Sequence, residues 1–119
     1  MRFGEIKALS KLAKTFMKTA ETTEQKAILA ETEVKAGKAK KEASKKSAAE
    51  YVKTMTRILE RGKSYVHGEL ERVAIMLKKG QMGPKQLKNF KRRVNILAVF
   101  ANADETKKEE AQEGGDGEL

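Results

Sequence analysis

Residues 84–103 read PKQLKNFKRRVNILAVFANA. Leu87, Phe90, Val94, Leu97 and Ala101 fall three and four residues apart, so a helix gathers them on one face. Ile96, Val99 and Phe100 widen that face beyond a two-position seam, which predicts apolar neighbours on more than one side. The start is well marked. Pro84 suits the first helical position, where a missing N–H costs nothing. Gly83 serves as N-cap, and Met82 is placed to pack on Leu87 as a hydrophobic staple. The stretch is expected to be the central helix of a small bundle, with the rest of the chain supplying its partners.

Working back from it, the turn 80–83 separates this helix from another at 64–79. Val66, Leu70, Val73 and Leu77 form the stripe there, flanked by Tyr65, Ala74 and Met76. Lys78 and Lys79 sit at the negative end of the helix dipole, and Gly80 closes it. A third helix is read at 47–61, with Ser47 and Glu50 as a capping box, Tyr51, Val52, Met55, Ile58 and Leu59 as its stripe, and Gly62 as its stop. It could extend backwards through the alanines. The short loops predict antiparallel neighbours, so these three helices should form a compact bundle.

Further upstream, residues 35–46, KAGKAKKEASKK, hold no large apolar residue and read as a basic connector after Gly37. Thr22 to about Ala36 is a second helix, capped by Thr22 with Gln25. Its thin apolar face of Ala27, Ile28, Ala30 and Val34 predicts a peripheral position. Phe3 to Ala20 is a first amphipathic helix built on Phe3, Ile6, Leu9, Ala13, Phe16 and Met17, with Leu12 beside them. No alternating β-branched run of strand length occurs, so the expected fold is all-α, a five-helix bundle. The helical domain is placed at residues 1–103, with core helices across 47–101. Residues 104–119, polar and Gly-rich, are expected to be a disordered acidic tail.

Composition narrows the function. The 119 residues suffice for one domain. No cysteine is present, which excludes disulfides, thiolate metal sites and CxxC redox centres. No apolar run approaches transmembrane length, so no membrane insertion is expected. The opening MRFGEIKALSKLAK lacks the apolar region of a secretory signal, so work in a secretory compartment would need a leader upstream. The net charge of +9 is uneven: seven acidic residues and two lysines after Ala103 leave the preceding 103 residues at +14. Such a body suits nucleic acid, anionic membrane or an acidic protein, although scattered lysines also simply solvate a helical surface.

Catalytic chemistry is not legible. His67 is the sole histidine and lies beside an apolar stripe as a surface or boundary residue, without a partnered nucleophile. Glu69 and Glu71 project from different sides of their helix, and Glu69 instead pairs with Arg72 at i,i+3. Gly80 and Gly83 flank a turn that lacks the Lys-Ser/Thr of a phosphate loop. No zinc or EF-hand pattern occurs. The chain is therefore expected not to be an enzyme, and no cofactor or metal is expected.

One family pattern runs through these helices. Tyr51, Lys53 and Met55 lead to Ile58 and Leu59; Glu69 and Arg72 lead to Met76 and Leu77; Asn95, Ile96, Leu97 and Phe100 close the series. Upstream, ALSKLAKTFMK and Ala27–Leu29 fall at matching places. Over about residues 6–101 the chain resembles the C-terminal D domain of the PDI-D subfamily, the endoplasmic reticulum protein 29 and Windbeutel type. The resemblance implies an all-helical, noncatalytic module of a protein disulfide isomerase-related parent in the endoplasmic reticulum lumen. Its partners would be unfolded or secretory clients and thioredoxin-like domains upstream in the same parent; any isomerase activity would belong to those domains. Family members often end in a Lys-Asp-Glu-Leu-like retrieval signal, and this chain ends Asp116-Gly117-Glu118-Leu119, which keeps the final Glu-Leu.

On this reading the module works as a chaperone by binding. Val66, Met82, Val99 and Phe100 each lie at the edge of a stripe and are the client-binding candidates, positions that equally suit core or staple. The rival is a small basic helical nucleic-acid-binding protein, warranted by the +14 body and the 35–46 lysines. Its weakness is that few aromatic rings are available for stacking. A membrane-surface helix ranks lower, because no strongly basic face opposes large aromatics.

Overall fold

A computed structural model describes residues 2–104; the expected acidic tail beyond Asp104 and the retrieval ending at residues 116–119 lie outside the described residues. Five helices follow in order: α1 (Lys7–Lys18), α2 (Thr22–Ala36), α3 (Glu42–Arg61), α4 (Ser64–Lys79) and α5 (Pro84–Ala103). No strand occurs among the described residues.

The α5 prediction is met in its span and its start, while of the predicted stripe Leu97 is buried and Leu87, Phe90, Val94 and Ala101 are half-buried. Gly83 is its N-cap with extended backbone and Pro84 opens the first turn. All five consecutive residues Ile96–Phe100 are buried, so this stretch of α5 is covered on more than one side by α1, α3 and α4. Centrality is nevertheless shared. α3 is the helix that packs against all four others, and α2 reaches only α1 and α3 to any extent. The meeting point is aromatic. Phe16 of α1 stands edge-on to Phe100 of α5, ring centroids 6.4 Å apart, and Tyr51 of α3 tilts against the same ring at 6.3 Å. Met17, Met55, Val66, Val73, Ile96 and Leu97 close around them. Three rings from three helices in edge and tilted contact contribute beyond their buried area.

Helix ends depart from expectation where tertiary contacts outweigh local signals. α1 starts at Lys7, not Phe3, because Gly4 takes φ +87° and breaks the turn before it. The Ser47–Glu50 motif is not a cap: α3 already runs from Glu42, and Ser47 lies buried inside it as a hydrogen-bond acceptor for Arg92. Alanines at 43, 48 and 49 favour that longer helix. Thr22 does not cap α2 either. Glu21 is the N-cap residue, and Gln25 turns away to donate from Nε2 to the carbonyls of Phe16 and Thr19 at the end of α1. α4 matches its predicted span and ends on Gly80 at φ +66°, a left-handed cap that a side chain would strain.

The inward face of α2 is also not the predicted one. Gln25 and Thr32 are buried, Ile28, Leu29 and Ala36 are half-buried, and Val34 is 62% exposed. Thr32 is tolerated in the core because its hydroxyl donates to the Ile28 carbonyl at 2.8 Å. Asp104, assigned to the tail from sequence, belongs to the fold: it is buried, and its Oδ2 lies 2.8 Å from His67 Nε2.

Candidate client-binding surface

What a partner meets is whatever the helices leave outside the core. Val66 and Phe100 are wholly buried and Val99 is 6% exposed. These three sequence candidates are therefore core positions in this fold. For Val99 and Phe100 the reason is geometric: with α1, α3 and α4 around α5, the edges of its stripe are covered as well as the centre. Val99 retains only a margin on a cleft of about 420 Å³ shared with Arg2, Lys14, Lys18 and Asn102. Met82, half-buried in the turn 80–83, is the one candidate with surface to offer. The four do not gather into a groove.

A different groove does form. The start of α1, the end of α2 and the first half of α3 converge on a concavity of about 340 Å³. Ile6, Ala8, Leu9, Ala39 and Ala48 supply its apolar lining, and Lys35 and Lys38 stand at its side. Its lining is short: Ala8, Ala39 and Ala48 present only methyl groups, and Leu9 among them is 2% exposed. The signal in the sequence was the alanine- and lysine-rich run 35–46, read there as a connector.

The wall carrying Ile6 is held firmly. The Ile6 N–H donates to Tyr51 Oη at 3.0 Å, and Tyr51 Oη lies 2.6 Å from Ser10 Oγ. Ser10 also reaches Glu5 Oε1 at 3.3 Å. Burial raises the Tyr51 phenol above its ordinary value, opposed by its hydrogen bonds to Ser10 and Ile6. Asn95 Nδ2 donates to the Phe3 carbonyl at 2.9 Å, so α5 ties down the same segment.

On the opposite flank, α3, α4 and α5 are joined by charge. Arg72 grips Glu69 with Nε and Nη2 at 2.9 and 2.7 Å, and Arg93 of α5 pairs with both Glu69 and, at 3.7 Å, Glu50 of α3. Hydrogen bonding from Arg72, then the charge of Arg93, holds the Glu69 carboxyl below its ordinary value against the effect of burial. The Glu69–Arg72 pair was expected from spacing; the bridge through Arg93 joins elements far apart in sequence and left no local signal. This cluster braces the bundle.

Over residues 4–100 the chain matches the family described as "Endoplasmic reticulum protein ERp29, C-terminal domain". The chain belongs to this family. The match runs from Gly4, the turn that precedes α1, to Phe100, the ring on which three helices meet. The five-helix fold agrees with the ERp29-type domain that the sequence pattern implied. Of the thirteen residues named for that pattern from α3 to α5, Tyr51, Met55, Ile58, Ile96, Leu97 and Phe100 are buried, five are half-buried, and Lys53 and Arg72 are exposed. The buried six make part of the ERp29 signature in this chain a packing signature.

Proposed function

We propose that this chain is a noncatalytic domain of an endoplasmic-reticulum, protein disulfide isomerase-related protein, and that it assists folding or secretion by holding apolar segments of client proteins. The observation that carries this is the alanine-floored groove between α1, α2 and α3, bordered by Lys35 and Lys38, on a chain of the ERp29 C-terminal family. An apolar floor takes client side chains without demanding a sequence, and flexible lysine stems can lie along apolar surface while keeping their charge in water. Thioredoxin-like domains of the same parent would act beside it, and the Asp116–Leu119 ending would serve retention in the lumen. The nucleic-acid reading is not favoured by three of the six rings, since Phe16, Tyr51 and Phe100 lie in the core where no base can stack; Phe3 is exposed.

The test is to charge the floor without touching the core. Ala8 is exposed and Ala39 half-buried, so Ala8→Glu and Ala39→Glu should leave helix content and melting unchanged. Each should weaken binding of an unfolded client, read by suppression of its aggregation and by fluorescence titration, by about tenfold or more, because client side chains would have to desolvate a carboxylate. Wild-type binding by both folded variants would refute the groove.

A further inference from the structure

Arg92 of α5 is buried, at 6% exposure, yet it is not matched by an acid. Its Nε donates to Ser47 Oγ at 3.0 Å and its Nη1 to Asn89 Oδ1 at 2.8 Å, both neutral acceptors. Its guanidinium carbon lies 5.3 Å from the centre of the Phe3 ring. Among the described residues no carboxylate forms an ion pair with it, whereas its neighbour Arg93 has two. An arginine stays charged in any protein environment, and a buried charge is stabilised chiefly by an opposite one. The guanidinium has five N–H groups, and the two hydrogen bonds above use two of them.

A cavity of about 320 Å³ opens beside Arg92 and Asn89, walled by Lys46, Ala49 and Glu50. Glu50 directs its carboxylate to Arg93. The cavity therefore presents two cations and one acid already drawn to a third cation. Ser47 takes Nε and Asn89 takes one proton of Nη1, so Nη2 and the second Nη1 proton are what the guanidinium, a planar fork suited to carboxylates, has left to offer.

We propose that Arg92, with Lys46, forms a binding site for a single carboxylate group in this cavity between α3 and α5. The site is separate from the apolar groove and does not depend on it. The carboxylate could come from a small organic acid or from the free C-terminus of a peptide, and the experiment separates these sources.

The guanidino Nε–Hε resonance of Arg92 is followed by NMR in the full chain while acetate, a short peptide with a free C-terminus, the same peptide amidated, or inorganic phosphate is added. Saturable shifts with the free-acid peptide but not its amide support the site; saturation by acetate as well makes it a general carboxylate site. Arg92→Lys keeps charge but loses the fork and should weaken binding by about tenfold or more. If that variant fails to fold, Lys46→Ala, at an exposed position, should still weaken binding by roughly twofold to fivefold. No saturable shift with either carboxylate, a response to phosphate alone, or equal binding by the Arg92 and Lys46 variants overturns the proposal.

Discussion

Replacing Tyr51 by Phe isolates the polar joint inside the aromatic core. Tyr51 is wholly buried, and its hydroxyl accepts the Ile6 N–H at 3.0 Å while bonding Ser10 Oγ at 2.6 Å. Removing it strands the two partners unequally. Ser10 keeps Glu5 at 3.3 Å, so its loss is small. The Ile6 N–H, in a part-buried bond, has no other acceptor placed for it, and a donor left unsatisfied costs about 1–3 kcal/mol where it is buried. The ring stays in contact with Phe100, so no cavity is added. The expected loss is about 2 kcal/mol, or a fall in Tm of about 10 °C for a domain of this size. Urea unfolding followed by far-UV circular dichroism measures it. The variant also has a pH signature. The folded phenol titrates above its ordinary value of 10.0, so below that value its contribution is complete. As pH rises past it, only the unfolded chain loses the proton, and stability falls. Wild type should therefore lose stability relative to Tyr51→Phe on the alkaline side alone. A variant within about 0.5 kcal/mol of wild type would show that this hydroxyl does not secure the start of α1.

Five further outcomes follow from the same structure. Glu69→Gln should flatten the acid limb of the stability curve: the Glu69 carboxyl sits below its ordinary 4.5, so its contribution is present above that pH and is lost as pH falls through the folded value, which unfolding between about pH 6 and 3 will read. Gly68→Ala should stabilise by about 0.5–1 kcal/mol, since the position is helical and a Cβ there meets nothing within 4 Å; Gly4→Ala should destabilise by about 1–3 kcal/mol, since its φ is +87° and the Cβ would stand 2.7 Å from Arg92 Cγ. Both are checked by thermal melting. Phe100→Ala should cost about 3–5 kcal/mol as a core truncation, whereas Met82→Ala should change stability by less than about 1 kcal/mol, so only Met82 among the original four can be tested for client binding without unfolding the domain.

Periodicity carried most of the fold. α4 and α5 are apolar enough on one stripe, and closed clearly enough by Gly80 and Pro84, that their spans could be read from spacing. The errors share a cause. Gln25 and Ser47 are polar residues whose partners come from other elements, so local rules cast them as caps; Thr32, bonded to the Ile28 carbonyl within its own helix, fell outside the predicted apolar face. Glu21 and Lys41 stand at the actual helix starts with no side-chain cap, and packing rather than capping fixes those ends. Asp104 was hidden because an acid next to an acidic tail looks like the tail, and only the fold brings it to His67. The candidate surface was harder still. Stripe-edge residues are exposed on a helix packed on one side, but α5 is packed on several, and the groove that forms is defined by missing bulk at Ala39 and Ala48.

That contrast between floor and rim also separates the two partner classes by their response to salt. A polyanion bound to the +14 body would release counterions, and its affinity would fall with a logarithmic slope of about 0.9 for each phosphate neutralised. A client in the groove meets two lysines beside an apolar floor. Salt screens the lysines but not the burial of apolar area, which excluded salts such as sulfate strengthen. Client affinity should therefore change little between low and physiological salt and hold or rise in sulfate. A steep fall with a slope of several units would mean that the lysines of residues 35–46, and not the alanines among them, make the interaction. In that case the groove reading would give way to the nucleic-acid one.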